Sequence, residues 1–299
     1  MLVNLYNIIP KILPKILSMT LLALFVSIFT LAPSLASAHQ PRITESRLTE
    51  VPDPEISKAY YGKLMGEPDV YTIEAKQAFN LYVGVLVPDI ASTKKDITAE
   101  VFRGNENIAT IGGASATWKP FFEPFGQSNY FDGGEYKARA EAGVYTIKVS
   151  NPLNTGKYSL AIGEIESFDG KEGMNALSMI PNLKRNFFEE SPITFIKSPF
   201  GWGLIVIMYI LAFIAGFIYR TILKKFAKNS PRGVARNIGK PDRLLRLAIG
   251  VALLLWAITT TWSPILLFFS GFAFFEAIFS WCGFYAAMGK NTFLWSKNL

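Results

Sequence analysis

Apolar residues are concentrated in three long runs, and a long polar stretch separates the first run from the other two. The first run covers residues 16–32 and the second covers residues 202–219. The third covers residues 244–289 and is interrupted only by Ser263 and Pro264. Apolar stretches of roughly 20 residues are long enough to cross a bilayer as helices. The pattern therefore predicts a membrane protein with one polar domain.

The start of the chain has the features of a secretory signal. Two lysines precede the first apolar run, and Ala36-Ser37-Ala38 follows it. Small residues in this arrangement are what signal peptidase recognises. We expect residues 1–38 to be removed as a signal peptide, which makes His39 the first residue of the mature chain. The alternative is an uncleaved anchor helix, because the run is nearly long enough for a full span.

Short segments of the polar stretch alternate between apolar and polar residues. The clearest are DVYTIEA, FNLYVGVLV, DITAEVF, NIATI, YKARAEA, VYTIKVS and KYSLAIGE. A period of two, rich in β-branched and aromatic residues and bounded by Gly, Pro, Asn or Asp, is typical of half-buried β-strands. Residues 39–170 are therefore predicted to form an antiparallel all-β sandwich, either jelly-roll or immunoglobulin-like.

The predicted hairpin AGVYTIKVSNPLNTGKYSLAIGE supports this fold class. It resembles the end of the bacterial pre-peptidase C-terminal type of β-sandwich, in which a Gly-x-Tyr strand precedes a Gly-x-Tyr-x-Leu strand. The resemblance covers the hairpin alone, and it implies a sandwich fold without implying an activity.

Aromatic residues spaced by prolines and glycines crowd the segment from Thr117 to Tyr136, which we predict to be a loop. Rigid rings give contact area at little entropic cost, so such a loop suits a ligand or a partner protein. The alternative is that it folds over the sandwich edge or against the membrane and buries its rings. The candidate binding residues are Trp118, Phe121, Phe122, Phe125, Tyr130 and Phe131.

The position of the positive charge predicts the orientation in the membrane. The net charge is +7, and the segment from Arg220 to Arg246 holds nine basic residues against one acid. Short loops rich in Lys and Arg stay in the cytoplasm. We therefore expect a multi-pass protein of the cytoplasmic (inner) membrane, with residues 39–198 outside the cytoplasm. A loop of this kind favours anionic lipid headgroups over nucleic acid as its partner.

The predicted boundaries follow from these patterns. An amphipathic linker at the membrane surface covers residues 171–200. Transmembrane helices are predicted at 201–220, 244–262 and 264–289, with a basic loop at 221–243 and a cytoplasmic tail at 290–299.

The last two predicted helices carry a distinctive set of polar residues and glycines. The segment NIGKPDRLLRLAIG opens the first helix, and SWCGFYAAMGKNT ends the second. Together they resemble the two-helix membrane domain of unknown function typified by the YgaP-like inner-membrane proteins. Its members pair an Asn-x-Gly…Asp-Arg-x-x-Arg…Gly opening with a Cys-Pro-x-Tyr-x-x-x-Gly-x-Asn-Thr ending. The matching positions are Asn237, Gly239, Asp242, Arg243, Arg246, Gly250, Cys282, Tyr285, Gly289, Asn291 and Thr292.

The chain departs from that family in two respects. Gly283 replaces the proline after the cysteine, and a rhodanese-like domain is missing. The resemblance therefore implies a fold and a membrane location, but it does not carry over the sulfur transfer known for some relatives.

Two residues of the last predicted helix are candidates for a role inside the membrane. Glu276 is costly in a bilayer, so we expect it to be protonated and to lock helices or protomers together, with Tyr209 as a candidate partner. A proton or ion pathway is the alternative. Cys282, the sole cysteine, is expected to be an inert packing residue, because a redox role needs an accessible thiolate.

The remaining residue types argue against the common catalytic sites. The chain has one histidine and its cysteine lies in a predicted membrane helix, so Ser-His-Asp and Cys-His sites lack a component. A mature N-terminal His39 offers its amine and a ring nitrogen to Cu(II), but a second histidine is missing.

We therefore predict a non-enzymatic, membrane-anchored binding or structural module of the cell envelope, without a cofactor. The alternatives are a copper-handling protein that uses His39 and a transport accessory that depends on Glu276. Membrane lipids are the expected partners. Envelope proteins, glycans and a second copy bound through the helices are further candidates, and nucleic acid is not expected.

Overall fold

The computed structural model describes residues 39–167, 169–226 and 236–292. The predicted signal peptide, residues 227–235 of the basic loop and residues 293–299 of the tail lie outside these ranges.

The described residues before Gly170 form two stacked β-sheets. The strands are β1 (Gln40–Ile43), β2 (Leu48–Glu50), β3 (Lys58–Met65), β4 (Asp69–Ala75), β5 (Phe79–Pro88), β6 (Thr98–Arg103), β7 (Glu106–Gly112), β8 (Lys119–Glu123), β9 (Ser128–Ala140), β10 (Gly143–Ser150) and β11 (Thr155–Ile162). A six-stranded sheet has the order β1-β3-β11-β5-β9-β8, and a five-stranded sheet has the order β2-β4-β10-β6-β7. Val83, Val101 and Ile147 are fully buried between the sheets. The predicted β-sandwich is confirmed.

Both sheets are mixed, although alternation alone predicted antiparallel pairing. β1 runs parallel to β3, and β2 runs parallel to β4. Parallel neighbours cannot be joined by a tight hairpin. Here the chain changes sheet after β1, after β2 and after β3, so each parallel pair is separated in sequence by a strand of the other sheet. As a result, β1 and β2 are edge strands on the same side of the sandwich.

The segment predicted as an aromatic loop, residues 117–136, is a β-hairpin instead. β8 pairs with the start of β9, and Phe121 lies opposite Tyr130. Successive aromatic residues concealed the alternation because both faces of β9 are covered at this point. Phe131 packs against the sandwich core, whereas Tyr130 belongs to a cluster on the other side of the sheet.

Residues 170–198, called the interfacial segment below, connect the sandwich to the membrane helices. It consists of helix α1 (Gly170–Asn182), a π-helical turn (Leu183–Phe187) and a 3₁₀ helix (Pro192–Lys197). Asp169 caps α1, since its side chain accepts a hydrogen bond from the Glu172 N–H at 2.8 Å.

The interfacial segment packs on two sides. Phe187 and Phe188 lie on the outer face of the six-stranded sheet, where they contact Tyr61 and Tyr130. Phe195 is buried among residues of the membrane helices. The outer face of this sheet therefore stacks over the ends of the helices, with the segment between them.

The C-terminal region is helical. It contains α2 (Pro199–Phe226), α3 (Lys240–Trp256), a π-helical turn (Ala257–Thr261), α4 (Pro264–Phe279) and α5 (Gly283–Ala287). Within the described residues, Pro199–Leu223 and Lys240–Thr261 are long and apolar enough to cross a membrane, and α4 is a shorter apolar helix.

The third predicted membrane helix, 264–289, ends ten residues early. Ser280 adopts a left-handed conformation with φ 53°, which terminates α4, and Cys282 is extended with φ −119°. Cys282 therefore lies between two helices and not within one.

Helix α2 joins the last two helices through close contacts between glycines and aromatic rings. A Cβ atom added to Gly216 would lie 2.5 Å from the Phe275 ring, and one added to Gly271 would lie 3.0 Å from the Tyr209 ring. Gly283 lies directly against the ring of Tyr219. The close approach of α2 to α4 and α5 thus requires glycine at these positions.

We predict that Gly283→Ala lowers the stability of the helical region. The added methyl group would overlap the Tyr219 ring, and overpacking of this kind costs about 1–3 kcal/mol. The comparison is Gly203→Ala on α2, where an added Cβ has no neighbour within 4 Å. Thermal unfolding in detergent measures both, and equal melting temperatures for the two variants would contradict the prediction.

Candidate functional site

A polar cleft of about 550 Å³ opens at the side of the sandwich where β1 and β2 form the edges. The first turn of α1 closes one end of this cleft, and Tyr60 from the core contributes to its lining. The remaining lining residues are Gln40, Arg42, Ile43, Thr44, Thr49, Glu50, Pro52, Asp53, Ile56, Lys58, Ser167, Asp169 and Glu172.

The cations of the cleft are paired within the protein. The Arg42 guanidinium donates to both carboxylate oxygens of Glu172, at 3.0 and 3.1 Å, and to the Gln40 side-chain oxygen at 2.8 Å. This bidentate contact ties β1 to the start of α1. Lys58 is buried, and its ammonium donates to the carbonyl oxygens of Pro52 and Asp53. Burial lowers the pKa of Lys58 from its usual value.

Most of the predicted aromatic binding residues are packed. Trp118 and Phe131 pack against the sandwich core, Tyr130 is buried, and Phe125 contacts residues at the start of α2. Phe121 and Phe122 remain 42% and 50% exposed. The predicted aromatic surface therefore reduces to two neighbouring side chains on the edge strand β8.

The tip of the β8–β9 hairpin touches the beginning of α2. The rings of Phe125 and Phe200 are 4.6 Å apart between centroids, and the Ser198 hydroxyl donates to the Phe125 carbonyl at 2.8 Å. Glu123 braces the tip, because its carboxylate accepts hydrogen bonds from the N–H groups of Phe125 and Gly126.

Lys184 joins the same hairpin to the interfacial segment. Its side chain is 2% exposed, and its ammonium donates to the Gln127 carbonyl at 2.9 Å and the Ser128 hydroxyl at 3.0 Å. An ion pair with Glu190, at 2.9 Å, compensates the charge. The sequence analysis missed Lys184; its only signal was a lysine between the apolar residues of the segment MIPNLKRNFF.

The next residue, Arg185, points to the membrane helices. Its guanidinium donates to the carbonyl oxygens of Thr259 and Thr260, at 3.3 and 2.7 Å, in the last turn before α4. Trp262 adds a second link, since its indole N–H donates to the Pro192 carbonyl at 2.8 Å. The interfacial segment is thus bound on one side to the sandwich and on the other to the turn between α3 and α4.

His39 lies at the edge of the six-stranded sheet. Its Nδ1 is 2.5 Å from the Ser57 hydroxyl, and its ring stacks near Tyr82. Burial lowers the pKa of His39. Within the described ranges, no group of three His, Cys, Asp or Glu residues could hold a metal ion. A copper site would use the amine and one ring nitrogen of His39, and the contact with Ser57 engages one of the two ring nitrogens, Nδ1.

At the end of the helices away from the sandwich, the two parts of the sequence fingerprint come together. Asn237 donates to the Cys282 carbonyl at 2.9 Å and accepts from the Cys282 N–H at 2.8 Å. The Thr292 hydroxyl contacts the Gly239 N–H and donates to the Asp242 carboxylate, both at 3.0 Å. These bonds fasten the start of α3 to the segment after α4.

Glu276 lies in the same cluster, but its partner is not Tyr209. Its carboxylate forms an ion pair with Arg246 and a hydrogen bond with the Cys282 thiol. The Tyr209 hydroxyl is 2.8 Å from that of Ser270, which donates to the Gly250 carbonyl. The predicted intramembrane residues therefore form two separate polar contacts, both of which join helices.

Comparisons with known proteins found a matching family model and similar solved structures. Residues 234–293 match the family model described as "Inner membrane protein YgaP-like, transmembrane domain". The pre-peptidase C-terminal domain of a collagenase from Bacillus anthracis is a similar solved structure, with 16% identity and a TM-score of 0.25, covering 39% of this chain and 92% of that one. No curated protein matches the chain. The resemblance of the last two helices to the YgaP-like membrane domain, stated from the sequence, is confirmed.

For the Arg246–Glu276 pair, we predict that removal of one charge lowers stability more than removal of both charges. Removal of Arg246 leaves the Glu276 carboxylate, which is 7% exposed, without its basic partner, so Arg246→Met should cost about 3–5 kcal/mol. The double variant Arg246→Met/Glu276→Leu, which removes both charges, should recover most of that stability. Unfolding in detergent measures both variants, and a double variant no more stable than the single one would contradict the prediction.

Burial of His39 predicts a dependence of stability on pH. Because its pKa is lower in the folded chain, the unfolded chain takes up the proton first. The contribution of His39 is therefore fully present above the unfolded pKa of about 6.5 and is lost as the pH falls toward the folded pKa. As the pH is lowered, the melting temperature of the full chain should fall more steeply than that of the His39→Gln variant. Equal slopes of melting temperature against pH for the two proteins would contradict the prediction.

Proposed function

We propose that this protein is a non-enzymatic binding or structural module of the cell envelope, in which inner-membrane helices hold the β-sandwich outside the cytoplasm. The observation that carries the proposal is the interfacial segment. Lys184 bonds it to the sandwich and Arg185 bonds it to the helices. A domain held this way is presented in a fixed orientation and is not merely tethered.

The polar cleft is the surface we assign to ligand or partner binding. It lies at the open side of the sandwich and is large enough for a small polar molecule or a short segment of a glycan or protein. Its paired cations favour recognition over catalysis, because Arg42 and Lys58 are committed to acceptors of the protein itself. The Ser57 hydroxyl beside His39 is buried, which does not suit a nucleophile.

The charge distribution supports the orientation. The end of the helices opposite the sandwich carries Arg236, Lys240 and Arg243. These residues belong to the basic segment of the sequence that begins at Arg220. Positive charge of this density favours the cytoplasmic side. The lipids of that leaflet are the partners we propose for it. Association of two copies through the helices is a further part of the proposal.

Labelling of single cysteines tests the orientation. In a Cys282→Ser background, Leu153→Cys in the β10–β11 turn and Lys240→Cys at the start of α3 are both at exposed positions. We expect a membrane-impermeant maleimide to label position 153 in intact spheroplasts and position 240 only after lysis. The reverse pattern, or equal labelling before lysis, would overturn the proposed location of the sandwich.

A further inference from the structure

We propose that the β8 edge of the sandwich rests on the lipid bilayer, with Phe121 inserted into the interface beside the first membrane helix. This inference builds on the proposed membrane anchoring and goes beyond it, because it makes the sandwich itself a lipid-binding domain.

The first step is the level of the hairpin tip. Trp202, in the first turn of α2, is 55% exposed, and exposed tryptophan at the end of a membrane helix marks the interface between lipid and water. Phe200 lies two residues before it, and its ring contacts Phe125 at the hairpin tip. The tip therefore reaches the level at which α2 enters the membrane.

The second step is the direction of the strand. The outer face of the six-stranded sheet, and not its end, stacks over the interfacial segment and the helix ends. Strands of this sheet consequently run along the membrane surface. β8 ends at the tip with Glu123 and is the edge strand of the sheet. Its residues before Glu123 are exposed, so the interfacial segment does not cover them.

The third step is the side on which Phe121 lies. Directly opposed residues of an antiparallel pair share one face of the sheet. Phe121 is opposite Tyr130, whose ring contacts Phe188 of the interfacial segment at 5.1 Å. Phe121 therefore projects from the membrane-facing side, whereas Phe122 projects from the other side because successive residues of a strand alternate.

The chemistry of this edge suits a bilayer. Lys119 lies two residues from Phe121 on the same face and is exposed. An aromatic ring beside a basic side chain is a combination that binds interfaces, since the ring enters the boundary of the acyl chains and the cation meets phosphate. The exposed area is then covered by lipid and not by another protein.

Depth-dependent quenching tests the proposal in the full chain. An environment-sensitive fluorophore is attached to Phe121→Cys in a Cys282→Ser background, and the protein is reconstituted in nanodiscs of mixed phosphatidylcholine and phosphatidylglycerol. Spin-labelled phospholipids serve as the quencher. The controls are Phe122→Cys on the opposite side of β8, and Val144→Cys, an exposed position on the outer side of the remote five-stranded sheet.

We expect spin-labelled lipid to reduce fluorescence at position 121, to reduce it less at position 122 and to leave position 144 unchanged. Quenching at 121 no stronger than at 144 overturns the proposal. Protection of position 121 from an aqueous quencher without quenching by lipid also overturns it, because a protein partner then covers the edge.

A second labelling position and an independent orientation test complete the experiment. If the Phe121→Cys variant fails to fold, the fluorophore at Lys119→Cys on the same face gives the same comparison. The maleimide labelling of positions 153 and 240 is independent of this edge, so loss of the lipid contact leaves the proposed anchoring of the module intact.

Discussion

The structure depends on one buried ammonium group. The Lys184 side chain is almost completely buried. A buried charge is tolerated only where hydrogen-bond acceptors and a counter-ion surround it. Gln127, Ser128 and Glu190 supply them, and two of these three belong to the β8–β9 hairpin. The requirement to satisfy one lysine therefore joins the sandwich to the interfacial segment, and the position of the hairpin tip against α2 follows from it.

The alternation of apolar and polar residues along the sequence predicted those strands that have one face toward water. β4 and β10 alternate cleanly, because each has one buried and one exposed face. β8 and the first part of β9 escaped prediction, because the residues of β8 are largely exposed and Tyr130 and Phe131 of β9 are packed on opposite faces. The parallel partners of β1 and β2 could not be predicted, since register and direction arise from contacts between distant residues.

The candidate sites show the same limit. Spacing along the chain indicated that the residues around Asn237 and Cys282 belong together, and hydrogen bonds join them in the structure. The partner of Glu276 was misjudged because Arg246 precedes it by 30 positions, and contacts at that separation leave no local pattern. The cleft between β1 and α1 left no local signal, because a short parallel strand and a distant helix cap create it.

A single covalent link between a soluble domain and a membrane helix would leave the domain free to rotate. Here Ser198 and Phe200 hold the hairpin at the start of α2, Arg185 binds the end of the turn after α3, and Trp262 binds the 3₁₀ helix. These contacts reach the start of α2 and the turn between α3 and α4, so they hold the sandwich at separate points. Rotation about any one of them breaks the others. The face of the sandwich that meets the membrane is therefore determined by the interfacial segment, and the cleft at the β1–β2 edge is held in one orientation relative to the bilayer.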